Sequence, residues 1–323
     1  MASKRLYETA ETLVYDPVAS NRNASRASLH SIGFRKVELA ASLEILHERL
    51  RVRAPDLLLA EVAGSENEVC ALVQAVRRGT VGDNPFIVIV VTTWRRDGTI
   101  VGQVVNSGAD DLIARPVSTT ILGERIKALI ERRKGFVITS DYIGPDRRRE
   151  ARSPGIERIE VPNPLKIRTL EGLAEDEAEQ RIVDSVRRGK ETLNLQKMRR
   201  DAVQLCLQWR VLEQRTPGAR DFCEILPRIE RLATEMSYRA GLIDQKAARE
   251  WCDSVAQSVH ALTGMGEHSG NDGLVADYRP PLSLLGRAAL TLGQMFAPDE
   301  IEPARLMELD RIMASRNAAP AAA

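Results

Sequence analysis

One run of eight residues constrains the fold of this chain more than any other part of the sequence. Residues 55–62 read PDLLLAEV, so that an apolar segment leads directly into a single carboxylate, Glu61. Continuous apolar runs of this length are typical of the central strands of a parallel sheet, which are buried on both faces. In open parallel sheets, functional groups stand just beyond the carboxyl ends of the strands. We therefore predict that Glu61 lies at a functional edge of such a sheet.

The first 135 residues alternate between strand-like and helix-like segments. The predicted strands cover residues 12–15, 34–39, 55–62, 86–91 and 112–114. Segments with apolar residues on one helical face separate these strands and are predicted to be helices. Gly33 is expected to end the first helix, and Ser118 is expected to cap the start of the last one. Five strands that alternate with five helices predict an α/β domain over residues 1–135, with a doubly wound, flavodoxin-like parallel sheet.

Three landmarks in this order resemble the receiver domain of response regulators. They are the strand that ends on Glu61, the strand end Thr92-Thr93, and the sequence Gly108-Ala109-Asp110-Asp111 that leads to Arg115-Pro116. In the family the first strand ends on the phospho-accepting Asp, and the last landmark ends in Lys-Pro with a cis peptide bond. The resemblance implies the receiver fold for the first 135 residues and a cis bond between Arg115 and Pro116.

The chemistry of the family is carried over less completely than its fold. A working receiver uses an Asp nucleophile, an acid pair that binds Mg²⁺, a Thr or Ser, and a Lys that contacts the phosphoryl group. The corresponding positions here are Glu61 for the nucleophile, Asp16 as a remnant of the acid pair, Thr93 (or Thr92 if the loop is longer) for the hydroxyl, and Arg115, followed by Pro116, for the Lys. The resemblance therefore implies a degenerate site.

Two of these replacements change the geometry that phosphoryl transfer needs. The Glu61 side chain is one methylene longer than Asp, and a misplacement of about 1 Å costs on the order of a hundredfold in rate. The Arg115 guanidinium is a planar fork rather than a point charge. We therefore expect no phosphorylation, no Mg²⁺ and no other cofactor, and we expect Glu61 and Arg115 to form an ion pair. A permanent carboxylate at this position could also imitate the phosphorylated state.

Residues 136–170 show no helical or strand period, and prolines interrupt them repeatedly. The segment resembles the Asp-Tyr-Ile-Gly-Pro-Asp-Arg-Arg extension that follows some bacterial receivers. Arg147, Arg148 and Arg152 also fit the Arg-Arg-x-x-x-Arg pattern of PilZ-type cyclic-dinucleotide sites, in which guanidinium groups bind phosphates. The β-barrel and the partner motif of that family are not found. The segment is thus either an arginine-rich linker that docks on a domain or a nucleotide site.

Residues 171–316 predict an all-α domain. A charged helix is expected over residues 171–188, followed by a longer helix through Arg215, and the clearest apolar stripe comes next, with residues 222, 225, 229, 232 and 236 on one face. Helices of this length joined by short loops favour an antiparallel bundle. The Ala/Pro-rich tail, residues 317–323, is expected to be disordered.

One motif of the helical domain resembles histidine-phosphotransfer domains. His260-Ala261-Leu262-Thr263-Gly264 is followed by Gly270, and the family has His-x-Leu-Lys-Gly with a second Gly at that offset. Thr263 stands where the family has Lys. The alternatives are phosphoryl transfer through His260, or a helical domain that serves docking or dimerisation.

The composition narrows the class of protein. The 46 Lys and Arg residues nearly balance 45 Asp and Glu residues, so bulk charge indicates no nucleic-acid or membrane partner. No apolar run is long enough to span a membrane, the first residues lack a secretory signal, and the four cysteines are scattered, which favours a cytoplasmic protein. The four histidines lack the spacing of a metal site. No basic recognition helix is found, so we expect no DNA binding.

We therefore expect a non-enzymatic protein of two-component signalling. Its degenerate receiver would act by binding a partner such as a histidine kinase or a downstream regulator, and a homodimer is a second arrangement. The alternatives are an active phosphorelay protein that uses His260 or Glu61, and a cyclic-dinucleotide sensor that uses the arginine-rich extension.

Overall fold

The computed structural model describes residues 7–95, 97–147, 158–170, 172–268 and 277–302, with the side chains of residues 266–268 excepted. The chain divides into two compact units, Met1–Lys190 and Glu191–Ala323. Within the described residues, none of the helices combines the length and apolar character needed to cross a membrane.

A five-stranded sheet forms the centre of the N-terminal unit. Its strands are β1 (Glu11–Tyr15), β2 (Lys36–Ala40), β3 (Leu57–Glu61), β4 (Val88–Thr93) and β5 (Asp111–Ala114). The helices between and after them are α1 (Ala19–Ile32), α2 (Leu43–Val52), α3 (Glu66–Arg78), α4 (Gly98–Ser107) and α5 (Thr119–Arg132). All neighbouring strands are parallel, in the order β2-β1-β3-β4-β5. This is the flavodoxin-like order, so the predicted fold of the first domain is confirmed.

The apolar run of β3 forms a central strand because its residues alternate between two cores. Leu58 and Ala60 pack in a cluster with residues of α2, α3 and α4, whereas Leu57 and Leu59 pack with residues of α1 and α5. All five residues of the strand are buried. Glu61 closes the strand and pairs in register with Thr92 of β4, which places its side chain at the carboxyl edge of the sheet.

Local signals set the ends of the helices as predicted. Gly33 follows α1, and its N–H donates to the carbonyl of Leu29. Ser118 caps α5 by accepting a hydrogen bond from the N–H of Ile121, which satisfies one of the free donors of the first turn. The peptide bond between Arg115 and Pro116 is cis, as the family resemblance implied.

The extension after α5 is more regular than predicted. It contains three short antiparallel strands and a helix: β6 (Phe136–Ile138), β7 (Ile143–Pro145), β8 (Arg158–Ile159) and α6 (Pro164–Leu170). The expectation of a segment without strands or helices is therefore wrong for its described residues. Strands of two or three residues are too short to show a period, and contacts distant in sequence hold them in place.

The predicted break near residue 188 is also wrong. A single helix, α7, runs from Glu175 to Glu213. Gly189 weakens the sequence signal for a continuous helix. Its lack of a side chain is required by packing, because a Cβ atom there would come within 2.7 Å of the Phe86 ring and 2.8 Å of Pro162.

The described residues of the C-terminal unit are helical, as predicted. After the second half of α7 come α8 (Arg220–Cys223), α9 (Leu226–Leu242), α10 (Lys246–His268), α11 (Arg279–Phe296) and a 3-10 turn (Pro298–Glu300). The predicted stripe from residue 222 to 236 is buried but is divided between α8 and α9, with Pro227 in the first turn of α9. Gly270, a predicted helix that starts at Pro303 and the predicted tail at 317–323 lie outside the described residues.

Candidate functional site

The Glu61 carboxylate is buried and bound on both of its oxygens. Glu61 is the last residue of β3 and is 2% exposed. Its Oε1 atom accepts a hydrogen bond from the N–H of Ala63 at 3.0 Å, and its Oε2 atom accepts one from the hydroxyl of Thr92 at 2.8 Å. Arg115 Nε donates to the same Oε2 atom, also at 2.8 Å. The expected ion pair between Glu61 and Arg115 is therefore present.

Arg115 connects several elements at this edge of the sheet. Besides Glu61, its Nη2 atom donates to the hydroxyl of Ser25 on α1 at 3.0 Å. The same Nη2 atom lies 3.4 Å from Oδ2 of Asp16, which directly follows β1. One guanidinium thus lies between two buried carboxylates, as its planar fork of five donors permits.

Asp16 faces this guanidinium without a hydrogen bond to it. Its Oδ1 atom accepts a bond from the N–H of Val18 at 2.9 Å, and its carbonyl accepts one from Arg22. Its Oδ2 atom is buried and accepts no hydrogen bond, so the 3.4 Å approach of Arg115 is a charge contact only. Tyr15, the last residue of β1, instead directs its hydroxyl to within 3.5 Å of the Ser65 hydroxyl.

The structure separates the two candidate hydroxyl groups. Thr92 contacts both Glu61 and Arg115, whereas the Thr93 hydroxyl accepts a hydrogen bond from the N–H of Arg95 and makes no other described contact. Thr92 is thus the hydroxyl of the site. The ring of Trp94, which is about half exposed, has its centroid 6.0 Å from the Arg115 guanidinium, within the range of a cation–π contact.

The donor set does not fit the Mg²⁺ ion that the receiver family uses. Mg²⁺ requires several oxygen ligands in an octahedron. Both oxygens of Glu61 are occupied by donors, and the free oxygen of Asp16 faces a cationic guanidinium rather than a space between carboxylates. No group of three metal-ligating side chains occurs among the described residues. The site is therefore a closed ionic cluster.

The remaining predicted residues lie apart from this cluster. Pro116 follows Arg115 across the cis bond. The Arg147 guanidinium donates to the carbonyl of Ala109, which precedes β5 at the opposite edge of the sheet. Arg148 and Arg152 lie outside the described residues. His260 is exposed on α10 of the C-terminal unit.

Sequence reasoning missed a second buried cluster in the N-terminal unit. Asp110 accepts hydrogen bonds from Arg77, Arg133 and the N–H of Ile89, each at about 2.8 Å. Both guanidinium groups lie about 5 Å from the Phe136 ring of β6, so this cluster anchors the extension. Burial opposes ionisation of Asp110, but the two cations outweigh it and lower the pKa of this carboxyl. The available signal was Asp110 itself, since the family landmark contains it.

A third buried cluster lies in the C-terminal unit. Lys197 Nζ contacts Asp201 at 2.5 Å and Glu235 at 3.4 Å, and Arg239 contacts both Glu235 and Asn194. Lys197, Asp201 and Arg239 are almost fully buried. Burial raises the pKa of Asp201 to about 7, although Lys197 acts in the opposite direction. The sequence signal is two charged pairs, each four residues apart, and such pairs on their own indicate exposed helix faces.

Comparisons with known proteins find likenesses among solved structures. No protein-family model matches the chain, and no curated protein matches it. Among solved structures, the chain is similar to a response regulator from Thermotoga maritima, with 24% identity over 37% of this chain and 97% of that chain and a TM-score of 0.33.

Two further solved structures give the same result. A signal receiver domain from Bermanella marisrubri is 22% identical over 38% of this chain and 99% of that chain, with a TM-score of 0.34. An orphan response regulator of H. pylori is 20% identical over 38% of this chain and 97% of that chain, with a TM-score of 0.32. These likenesses concern the fold alone. The N-terminal part of the chain has the receiver fold, as its own strand order and landmarks indicate.

Proposed function

We propose that this chain is a signalling protein of the two-component type whose degenerate receiver acts by binding other proteins and is not switched by phosphorylation. One observation carries the proposal. The Glu61 carboxylate, at the acceptor position, already binds the hydroxyl of Thr92 and the guanidinium of Arg115. These are the two groups that would contact a phosphoryl group in an active receiver.

The chemistry of phosphoryl transfer supports this reading. A nucleophilic oxygen needs a free lone pair in line with the leaving group, and cations must neutralise the oxygens of the transferring group. Here Glu61 Oε2 accepts two hydrogen bonds, and the cation that could assist is engaged with two carboxylates. The paired Glu61 then holds Thr92 and Arg115 in one fixed arrangement. Such a domain presents a constant surface to a partner, such as a kinase, a downstream regulator or a second copy of the chain.

The test is incubation of the full chain with acetyl phosphate and Mg²⁺, followed by a phosphate-affinity gel. We expect no shifted band for the natural sequence. The variant Glu61→Asp/Arg115→Lys, which carries the family's residues at both positions, is the matched comparison. Any band that it gains and that hydroxylamine removes, as expected for an acyl phosphate, would locate the block in this pair. A band in the natural sequence that disappears in Glu61→Gln would contradict the proposal.

A second candidate is phosphoryl transfer through the helical unit. His260 is exposed on α10, and the space beside Gly264, one turn further on, is open. An exposed imidazole with free space beside it can accept a phosphoryl group. Incubation with a promiscuous histidine kinase, its receiver and ATP separates the two candidates. Phosphoryl label on the natural chain that is lost in His260→Gln would favour a phosphorelay. Absence of label on both the natural chain and the variant would favour the binding role.

A further inference from the structure

A cleft of about 380 Å³ lies where the extension meets α5. The last turns of α5, the end of β7 and Arg147 line it. Four of the lining side chains are cationic: Arg125, Arg132, Lys134 and Arg147. The cleft is at the edge of the sheet opposite to Glu61, so it is separate from the closed ionic cluster.

The two carboxylates that line the cleft do not balance these cations. Asp111 is paired with Arg125. Asp110 is shared between Arg77 and Arg133, two cations for one carboxylate. Among the described residues, neither Arg132 nor Lys134 takes part in an ion pair. The cleft therefore carries a positive charge that the described side chains leave uncompensated.

The extension holds Arg147 in this cleft. Gly144 of β7 crosses Gly108 so closely that a Cβ atom on Gly144 would lie 2.7 Å from the Gly108 Cα atom. This approach lets the Arg147 guanidinium donate to the carbonyl of Ala109. The Nε atom of Arg147 is buried and has no hydrogen-bond partner. Among the described residues, this guanidinium has a carbonyl partner and no carboxylate partner, so its charge adds to that of the cleft.

We propose that this cleft binds a small phosphate-bearing molecule. Guanidinium and ammonium groups are the side chains that recognise phosphate oxygens, and four of them line one cavity here. The volume is that of a small-molecule site rather than of a nucleic-acid groove. Ala128, Leu129 and Pro145 form apolar walls suited to an organic part of the ligand. The proposal is independent of the proposed role of the receiver.

The test is titration calorimetry of the full chain with pyrophosphate, and separately with ADP, at low and at high salt. We expect saturable binding of pyrophosphate that weakens as salt screens the cations. The variant Arg132→Glu/Lys134→Glu should bind at least about tenfold more weakly, because two charge-assisted contacts are lost. Tighter binding of ADP than of pyrophosphate would show that the organic part contributes, and equal binding would assign recognition to the phosphates alone.

The matched control is Arg26→Glu/Arg51→Glu, which makes the same change in net charge at two exposed sites outside the cleft. Its affinity should stay within about twofold of the natural chain, because long-range terms are screened. Circular dichroism checks that both variants are folded, as expected for substitutions on exposed helix and loop positions. Absence of saturable heat with both probes would overturn the proposal, and so would an equal loss of affinity in the control.

Discussion

The ionic cluster makes an asymmetric prediction for Arg115 and Glu61. Arg115→Met removes the only described cation in contact with two buried carboxylates, those of Glu61 and Asp16. Breaking a buried pair by removal of one partner costs about 3–5 kcal/mol, and with two stranded carboxylates we expect the upper end of this range. Glu61→Gln keeps an amide oxygen as acceptor and leaves Asp16 facing Arg115. Its cost should be about 1–3 kcal/mol, that of weakened hydrogen bonds.

The difference of about 2 kcal/mol can be measured in the N-terminal unit by hydrogen exchange. A single melting temperature would mix two compact units, so amide exchange of peptides from β3 and β4 is the suitable assay. In the regime in which exchange follows the opening equilibrium, these amides should exchange roughly 30-fold faster in Arg115→Met than in Glu61→Gln. The double variant should cost clearly less than the sum of the single ones, because loss of Glu61 relieves one stranded charge.

The outcome that would refute this reasoning is a cost for Glu61→Gln equal to or above that for Arg115→Met. Strict additivity in the double variant would also refute it, since the two side chains would then not interact. Ser25→Ala is the matched control, because it removes one neutral donor–acceptor contact of Arg115 and strands no charge. Its cost should stay near 1 kcal/mol.

Two further predictions concern other parts of the chain. The folded protein ionises Asp201 near pH 7 and the unfolded chain near pH 4, so the folded state holds one more proton between these values. The stability of the C-terminal unit should therefore fall by on the order of 4 kcal/mol as the pH rises through this window, and Asp201→Asn should flatten this slope in urea unfolding. Gly144→Ala should destabilise the extension by roughly 1–3 kcal/mol, measured as faster proteolysis, because its Cβ atom would meet Gly108. Gly102→Ala, where nothing lies within 4 Å, should be neutral or slightly stabilising.

The elements predicted from sequence are those whose signals are local and strong. The buried strand at Leu57–Glu61 and the cap at Ser118 each depend on a few adjacent residues, and both are present. Glu61 and Arg115 could be paired in advance because the carboxyl ends of parallel strands meet at one edge. Which hydroxyl joins them could not be decided, because Thr92 and Thr93 differ by a single position and only the register of β3 against β4 selects Thr92.

The parts that the sequence did not indicate depend on contacts between distant residues. Asp56 accepts hydrogen bonds from the N–H of Glu11 and from Arg168, 112 positions further along the chain. Asp110 likewise forms ion pairs with two residues that are distant in sequence, Arg77 and Arg133. The position of a single charged residue forms no periodic pattern, so the sequence does not show whether it is buried. Its burial depends on an oppositely charged partner, and that partner can lie anywhere along the chain. Asp56 is buried, and burial raises its pKa to about 6, although Arg168 acts in the opposite direction.

The two replacements at the receiver site are best understood together. If a hydroxyl were the only partner of Glu61, the site would hold two buried carboxylates, those of Glu61 and Asp16, with no cation to compensate them. Like charges in a low-dielectric site oppose each other's ionisation. Arg115 contacts both carboxylates because its Nε and Nη2 atoms point to different sides of the planar guanidinium. A Lys ammonium carries its charge at a single nitrogen atom. The added methylene of Glu61 brings its carboxylate to 2.8 Å from Arg115 Nε and Thr92 Oγ1. The pair is a closed ionic contact, and this is the feature from which we propose a constant binding surface.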